Sequence, residues 1–153
     1  MDIGSGNTYP SCALSNFAPH PFIIDGVECA SMEGFLQSLK FKNADMQKEV
    51  CKLVGMAAKR RGRGKRWFTT QTLYWQGKEY KRDSQEYQDL LDRAYDALSK
   101  NTGFRKALLA TGDATLTHSI GKTRITETIL TKQEFCSRLL MIRKRLQKEL
   151  LNK

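Results

Sequence analysis

The sequence predicts an α+β protein, mainly α-helical with a few short β-strands, folded as a compact single domain over residues 1–153. Three observations carry that reading. Apolar residues recur at helical spacing from Tyr87 to Leu98 and from Phe135 to Leu150. Capping signals precede both stretches. The run PFIIDGVECA, Pro21 to Ala30, holds two short β-rich segments turned at Asp25-Gly26, as a hairpin requires.

The elements follow in order. A first helix is expected from about Met32 to Lys42, with Gly34 inside it. Glycine there costs about 1 kcal/mol against alanine, so a close backbone approach or a ligand is expected at that point. A second helix is expected from about Ala44 to Lys59, with Val50, Leu53, Val54 and Ala57 inward, broken by Gly62-Arg63-Gly64. Thr69 to Tyr80 has room for one or two short strands. Asp83 with Glu86 reads as a capping box for a third helix, whose buried stripe is Tyr87, Leu90, Leu91, Ala94, Tyr95 and Leu98. Asn101 or Thr102 caps a fourth, from Gly103 to about Ala110, which stops at Thr111-Gly112-Asp113. Leu116 to Ile120 reads as extended. Thr131 and Glu134 form another capping box, opening a last helix that runs to about Leu151. Phe135, Leu139, Ile142, Leu146 and Leu150 face inward on it; Arg138, Arg143, Lys144, Arg145 and Lys148 form its wet face.

Composition narrows the function. The chain is 40% hydrophobic and 27% charged, with no run long enough to span a membrane. The N-terminal segment does not read as a secretory signal, and the cytoplasm is the expected location. Four scattered cysteines (Cys12, Cys29, Cys51, Cys136) read as free thiols in a reducing compartment. Two histidines, His20 and His118, are too few for a multi-histidine metal site, and neither metal nor cofactor is expected. The net charge of +10 and a pI near 9.6 favour polyanionic partners. Six of the eight residues in KRRGRGKR, Lys59 to Arg66, are basic. They suit a phosphate backbone or a pyrophosphate, and equally a solvated loop. Trp67, Phe68, Tyr74, Trp75 and Tyr80 follow, as stacking platforms or as core.

The segment SMEGFLQSLKF, Ser31 to Phe41, carries the chemistry. On a helix, Glu33, Gln37 and Lys40 fall at i, i+4 and i+7 on one stripe, while Met32, Phe35, Leu36 and Leu39 face the core. A carboxylate, an amide and an amine are thus held against apolar packing, where pKa values are tuned. A surface helix with a solvated Glu and Lys would carry the same letters.

Taken with LSNF (Leu14 to Phe17) and LLATGDATL (Leu108 to Leu116), this segment resembles the NADAR domain, or YbiA-like family, over about Tyr9 to Leu146. The resemblance implies an N-glycosidase that cleaves the bond between a ribose C1 and a nitrogen. Two substrate classes are associated with it: ADP-ribose attached to guanine in DNA or RNA, and phosphorylated ribosylamino-pyrimidine intermediates of riboflavin synthesis. A non-catalytic binder of ADP-ribose or nucleic acid is the rival reading. Glu33, Gln37 and Lys40 match the family's Glu-x-x-x-Gln-x-x-Lys helix; Ser15, Asn16 and Phe17 match its Ser-Asn-Phe loop; Thr111, Gly112 and Asp113 match its Thr-Gly-Asp turn. Trp67 stands where the family often has a Trp after a basic stretch. Two departures stand out. Gly34 replaces a common His, and the stretch before the last helix, THSIGKTRITETILTKQEF, lacks the Asp and following Trp-Gly of many members.

Cleavage develops positive charge at C1 and requires a proton for the departing base. Glu33 is the acid/base candidate. The resemblance implies that Lys40, desolvated and neutral, attacks C1 and forms a Schiff base; alternatively Lys40 is a salt-bridge partner that fixes Glu33. Asn16, Gln37 and Asp113 are candidates for the ribose hydroxyls, Asp113 alternatively as a turn cap. Phe17 and Trp67 are candidates for stacking on a base, Arg60 and Arg63 for the pyrophosphate, and His118 for a phosphate or a secondary proton transfer.

Overall fold

A computed structural model describes all residues from 1 to 153. Seven α-helices and two two-stranded antiparallel sheets surround one apolar cluster of 30 buried residues. No helix is long and apolar enough to cross a membrane.

A 3-10 turn, Ser11–Leu14, leads into the hairpin of β1 (Phe22–Ile24) and β2 (Val27–Cys29), which pair Phe22 with Cys29. Asp25 and Gly26 both take positive φ, +49° and +77°, as the tight hairpin turn demands. Helix α1 spans Met32–Ser38 and stops earlier than its apolar spacing suggests. Leu39, Lys40 and Phe41 are instead tied by hydrogen bonds three residues back, a tighter turn. Met32, Phe35, Leu36 and Leu39 are buried as expected.

The long second helix expected over 44–59 is two helices, α2 (Ala44–Cys51) and α3 (Gly55–Arg61). Val54 is extended and Gly55 takes a φ of +54°, so Val54 and Ala57 are exposed and Leu53 half-buried. The break serves α1. The carbonyl of Cys51 accepts from the Ala30 N–H at 2.8 Å, and that of Leu53 accepts from the Ser31 hydroxyl at 2.9 Å. Carbonyls at a helix end need partners, and here the start of α1 supplies them. Gly34 is explained by the same contact: a Cβ on it would stand 2.5 Å from the Leu53 carbonyl oxygen.

A one-turn helix, α4 (Trp67–Thr70), precedes β3 (Thr72–Trp75) and β4 (Lys78–Lys81), which pair antiparallel. Helix α5 (Gln85–Leu98) buries the expected stripe, but Ser84 rather than Asp83 is its cap, accepting from the Tyr87 N–H. Asn101 caps α6 (Thr102–Ala110). The expected extension at 116–120 reduces to one parallel bridge between Asp2 and Thr117. Helix α7 (Lys132–Leu151) opens with the Thr131–Glu134 capping box.

Three assignments on α7 change. Leu150 is exposed, near the end of a helix that has run past the core. Arg138 and Arg143 are buried, not wet. Arg138 reaches the backbone and side-chain oxygens of Gln88 at 3.1 and 2.9 Å. Arg143 donates to the Thr111 hydroxyl and the Ala114 carbonyl, both at 2.9 Å. Each guanidinium is buried because the packing gives it acceptors.

Candidate active site

Three segments are brought to one cavity by backbone contacts. The extended Ser31 caps α1, its hydroxyl accepting from the Gly34 N–H at 3.1 Å. The next N–H but one, that of Glu33, is free for an outside acceptor and donates to the Asn16 carbonyl at 2.9 Å. The Ser15-Asn16-Phe17 loop is therefore docked on the first turn of α1. Ser15 folds that loop, its hydroxyl accepting from the Phe17 N–H at 3.1 Å. The third wall comes from Thr128 to Leu130, just ahead of α7.

The enclosed space is about 450 Å³. Glu33, Gln37 and Lys40 line one side; Asn16, Phe17 and Trp67 also face it. Gln37 donates from Nε2 to the Glu33 Oε2 at 2.7 Å. Its Oε1 is buried without a partner. Gly62 lies over that oxygen, so closely that a Cβ there would stand 1.8 Å from it. No ion pair joins Lys40 to Glu33 or to any other carboxylate, so the amine is not held as a salt-bridge prop.

Burial pushes the Glu33 carboxyl above its ordinary value, against the hydrogen bond from Gln37 and the charges of Lys59, Lys40 and His118. Burial also pulls the Lys40 amine below its ordinary value; Glu33 opposes that shift and Lys59 adds to it. Both groups are thereby moved toward their neutral forms. In those forms the carboxyl would be a proton donor and the amine a nucleophile in one cavity.

His118 also lines the cavity. Its Nδ1 lies 2.8 Å from the Ile3 carbonyl, which can only accept, so Nδ1 carries a proton and donates. The ring stands edge-on to Phe135 at 5.0 Å.

Other expected site residues fall elsewhere. Thr111 is buried against α7, donating to the Leu108 carbonyl at 2.6 Å and accepting from Arg143; Gly112 and Asp113 are exposed. That turn docks α6 on α7 and does not line the cavity. Arg60 and Arg63 are exposed outside the lining, and Lys59 takes the inward position. Lys59 was hidden in a basic run because the break at 52–54 resets the helical phase. Tyr95 was also missed as a site residue. It belongs to the core stripe of α5, yet its hydroxyl donates to the Asn16 Oδ1 at 2.7 Å. In a wider, shallow depression of about 630 Å³ between the hairpin and the α5–α6 junction, the charged groups, Glu28 and Lys100, are exposed.

Residues 8–144 match the family described as bacteriophage protein GP30.3. The chain belongs to the GP30.3 family. This places it in the NADAR/YbiA-like group. A second GP30.3-like sequence is the uncharacterized 17.1 kDa protein of the Gp30–rIII intergenic region of Enterobacteria phage T4. It is 42% identical over 147 residues, covering 94% of this chain and 96% of the phage T4 protein. The chain also superposes on the NMR structure of the E. coli protein YbiA with a TM-score of 0.60 and 22% identity, over 99% of this chain and 86% of YbiA. That likeness gives the fold, α+β with small antiparallel sheets.

Proposed function

We propose that this GP30.3-family chain is an N-glycosidase of the cytoplasm that removes ADP-ribose from guanine bases in DNA or RNA, with Lys40 as nucleophile and Glu33 as acid/base. The observation that carries it is the pairing of a half-buried carboxyl and an unpaired, half-buried amine on one cavity wall. Glu33 gives its proton to the sugar ring oxygen as the ring opens, and the Lys40 Nζ adds to C1. The bond between C1 and the base nitrogen then breaks; its electron pair leaves with the base, which takes the proton that Nζ sheds after adding to C1. Water adds to the resulting C1=N, the C1–Nζ bond breaks, and free sugar and amine are restored. Asn16 and Gln37 hold ribose hydroxyls, and Phe17 and Trp67 flank a planar base.

One observation favours a smaller substrate as a second reading. Lys59 and Lys122, both exposed cations on the cavity lining, suit a single phosphate such as that of a ribosylamino-pyrimidine. Incubation with an ADP-ribosylated guanine oligonucleotide and, separately, with a ribosylamino-pyrimidine phosphate, reading released sugar, separates the two. On the preferred substrate Glu33→Gln and Lys40→Met should each lose about a hundredfold or more in rate, the usual scale for a lost proton donor or nucleophile. Near wild-type turnover by both variants would remove the assignment. Borohydride trapping should give a substrate-dependent adduct that Lys40→Met abolishes.

A further inference from the structure

We infer that the rim formed by residues 60–68 is a docking track for single-stranded nucleic acid leading out of the cavity. The inference deepens the glycosidase reading, because it names how the strand around the target base is held.

No carboxylate of the protein neutralises the charge on this rim. Lys59, Arg60, Arg61, Arg63, Lys65 and Arg66 are all exposed, and none takes part in any of the seven ion pairs of the chain. Arg61 and Lys65 stack on the Phe41 ring, at 4.8 and 4.3 Å from its centre. That leaves Arg60, Arg63 and Arg66 along the outside, with Lys59 at the cavity. Unpaired guanidinium groups in a row are complementary to a phosphate backbone.

The rim is also continuous with the cavity. Gly62 covers Gln37 and approaches the stem of Lys40. Trp67 is buried on the cavity wall, while the next residue, Phe68, is 60% exposed and stands edge-on to it at 6.1 Å. One ring faces in and its neighbour faces out. A target base can occupy the inner face while the adjoining base of the same strand stacks on Phe68. Such a ring is open only to an unstacked base, and a base can reach an enclosed cavity only outside a duplex.

The test uses the full chain and an unmodified fluorescent single-stranded oligonucleotide, with affinity measured by anisotropy across a salt series. Each backbone phosphate neutralised contributes about 0.7 to the log–log salt slope of a single strand, so the triple change Arg60→Gln, Arg63→Gln, Arg66→Gln should flatten it by about two. Phe68→Ala should weaken binding at least about fivefold at fixed salt, the lower end of the stacking scale. The same oligonucleotide annealed to its complement should bind more weakly. Thermal melting controls for folding. Lys144→Gln with Lys148→Gln, exposed cations of α7, is the comparison pair. An equal loss of slope in that pair, equal affinity for duplex, or no effect of Phe68→Ala overturns the track. Strand binding by a chain that turns over no glycosidic substrate supports the track and removes the enzyme reading. Turnover of a modified nucleoside by a chain that binds no strand does the opposite.

Discussion

The Tyr95 hydroxyl donates to the Asn16 side-chain oxygen at 2.7 Å, although 79 positions separate them in the chain. Tyr95 is buried on α5, and burial raises its phenol well above its ordinary value, so it stays a neutral donor. The bond fixes which way the Asn16 amide points. With Oδ1 occupied by Tyr95 and the backbone carbonyl by the Glu33 N–H, the Asn16 NH₂ is left for a ligand.

Tyr95→Phe should therefore cost little in folding and more in turnover. Losing one neutral hydrogen bond is worth about 1 kcal/mol of stability by urea denaturation. Loss of a fixed contact to substrate should lower kcat/KM about tenfold or more. Asn16→Ala should give a similar loss, and the double variant little further loss, since both remove one interaction. Fully additive losses would mean that Tyr95 acts on something other than Asn16.

Gly34→Ala sets two effects of opposite sign against each other. Alanine favours a helix by about 1 kcal/mol over glycine. Here, however, the added carbon would meet the Leu53 carbonyl at 2.5 Å, and that carbonyl is held by the Ser31 hydroxyl. Overpacking against backbone costs about 1–3 kcal/mol. Net destabilisation is expected in urea; a stabilised variant would mean that α1 and the α2–α3 break do not touch.

Gly62→Ala acts on the site more than on the fold. The new methyl would displace the far end of Gln37, whose Nε2 holds Glu33. That hydrogen bond pulls the Glu33 carboxyl down, so its loss lets the carboxyl rise further. The expected outcome is reduced turnover, with the limb of the pH–rate profile that reports Glu33 moved to higher pH. Unchanged kinetics would show that Gln37 does not tune Glu33.

The pH profile carries its own sign. Turnover needs Glu33 protonated and Lys40 neutral, so the rate should follow a bell whose two limbs belong to this pair. Burial moves the two values toward each other, Glu33 up from 4.5 and Lys40 down from 10.5. The charge of Lys59 holds both values down. Lys59→Met should move both limbs to higher pH together, and the displacement should shrink with added salt because Lys59 is exposed. Limbs moving in opposite directions would contradict the assignment.

How much of this was legible in the sequence follows from the range of each signal. The Glu33–Gln37 contact is one helical turn long, so spacing gave it directly. The hairpin and the Thr131–Glu134 cap are equally local. The end of α1 before Lys40 and the split of α2 from α3 were not legible, because tertiary contacts hold both: the Leu39 carbonyl accepts from the Tyr74 N–H, and the carbonyls of Cys51 and Leu53 accept from Ala30 and Ser31. Arg143 read as surface because its partners, Thr111 and Ala114, are about 30 positions away. The Thr111-Gly112-Asp113 motif drew attention by resemblance, while its contacts serve helix docking.

The wall formed by 128–130 depends on one buried ion pair. Arg82, 1% exposed, donates to both Glu134 oxygens at 3.1 and 2.6 Å and to the Thr128 carbonyl at 2.8 Å. Tyr87 holds the Ile129 carbonyl in the same way. Burial pushes the Glu134 carboxyl up, but hydrogen bonds from Arg82, the Thr131 N–H and Gln88 outweigh it and hold the group below its ordinary value. The charged form is thus favoured by folding. Its contribution is present above about pH 4.5 and is lost as pH falls through the depressed value. Arg82→Met would leave Glu134 without its counter-charge, held only by the Thr131 N–H and Gln88, at a cost of about 3 kcal/mol. Glu134→Gln should remove the acid sensitivity while keeping the packing. Urea titrations at pH 7 and pH 4 check both: wild type should lose stability between them, and Glu134→Gln should lose less. If Arg82→Met unfolds no more readily than wild type, the wall is held by its apolar contacts, and the cavity owes its shape to Phe135 and Ile129 instead.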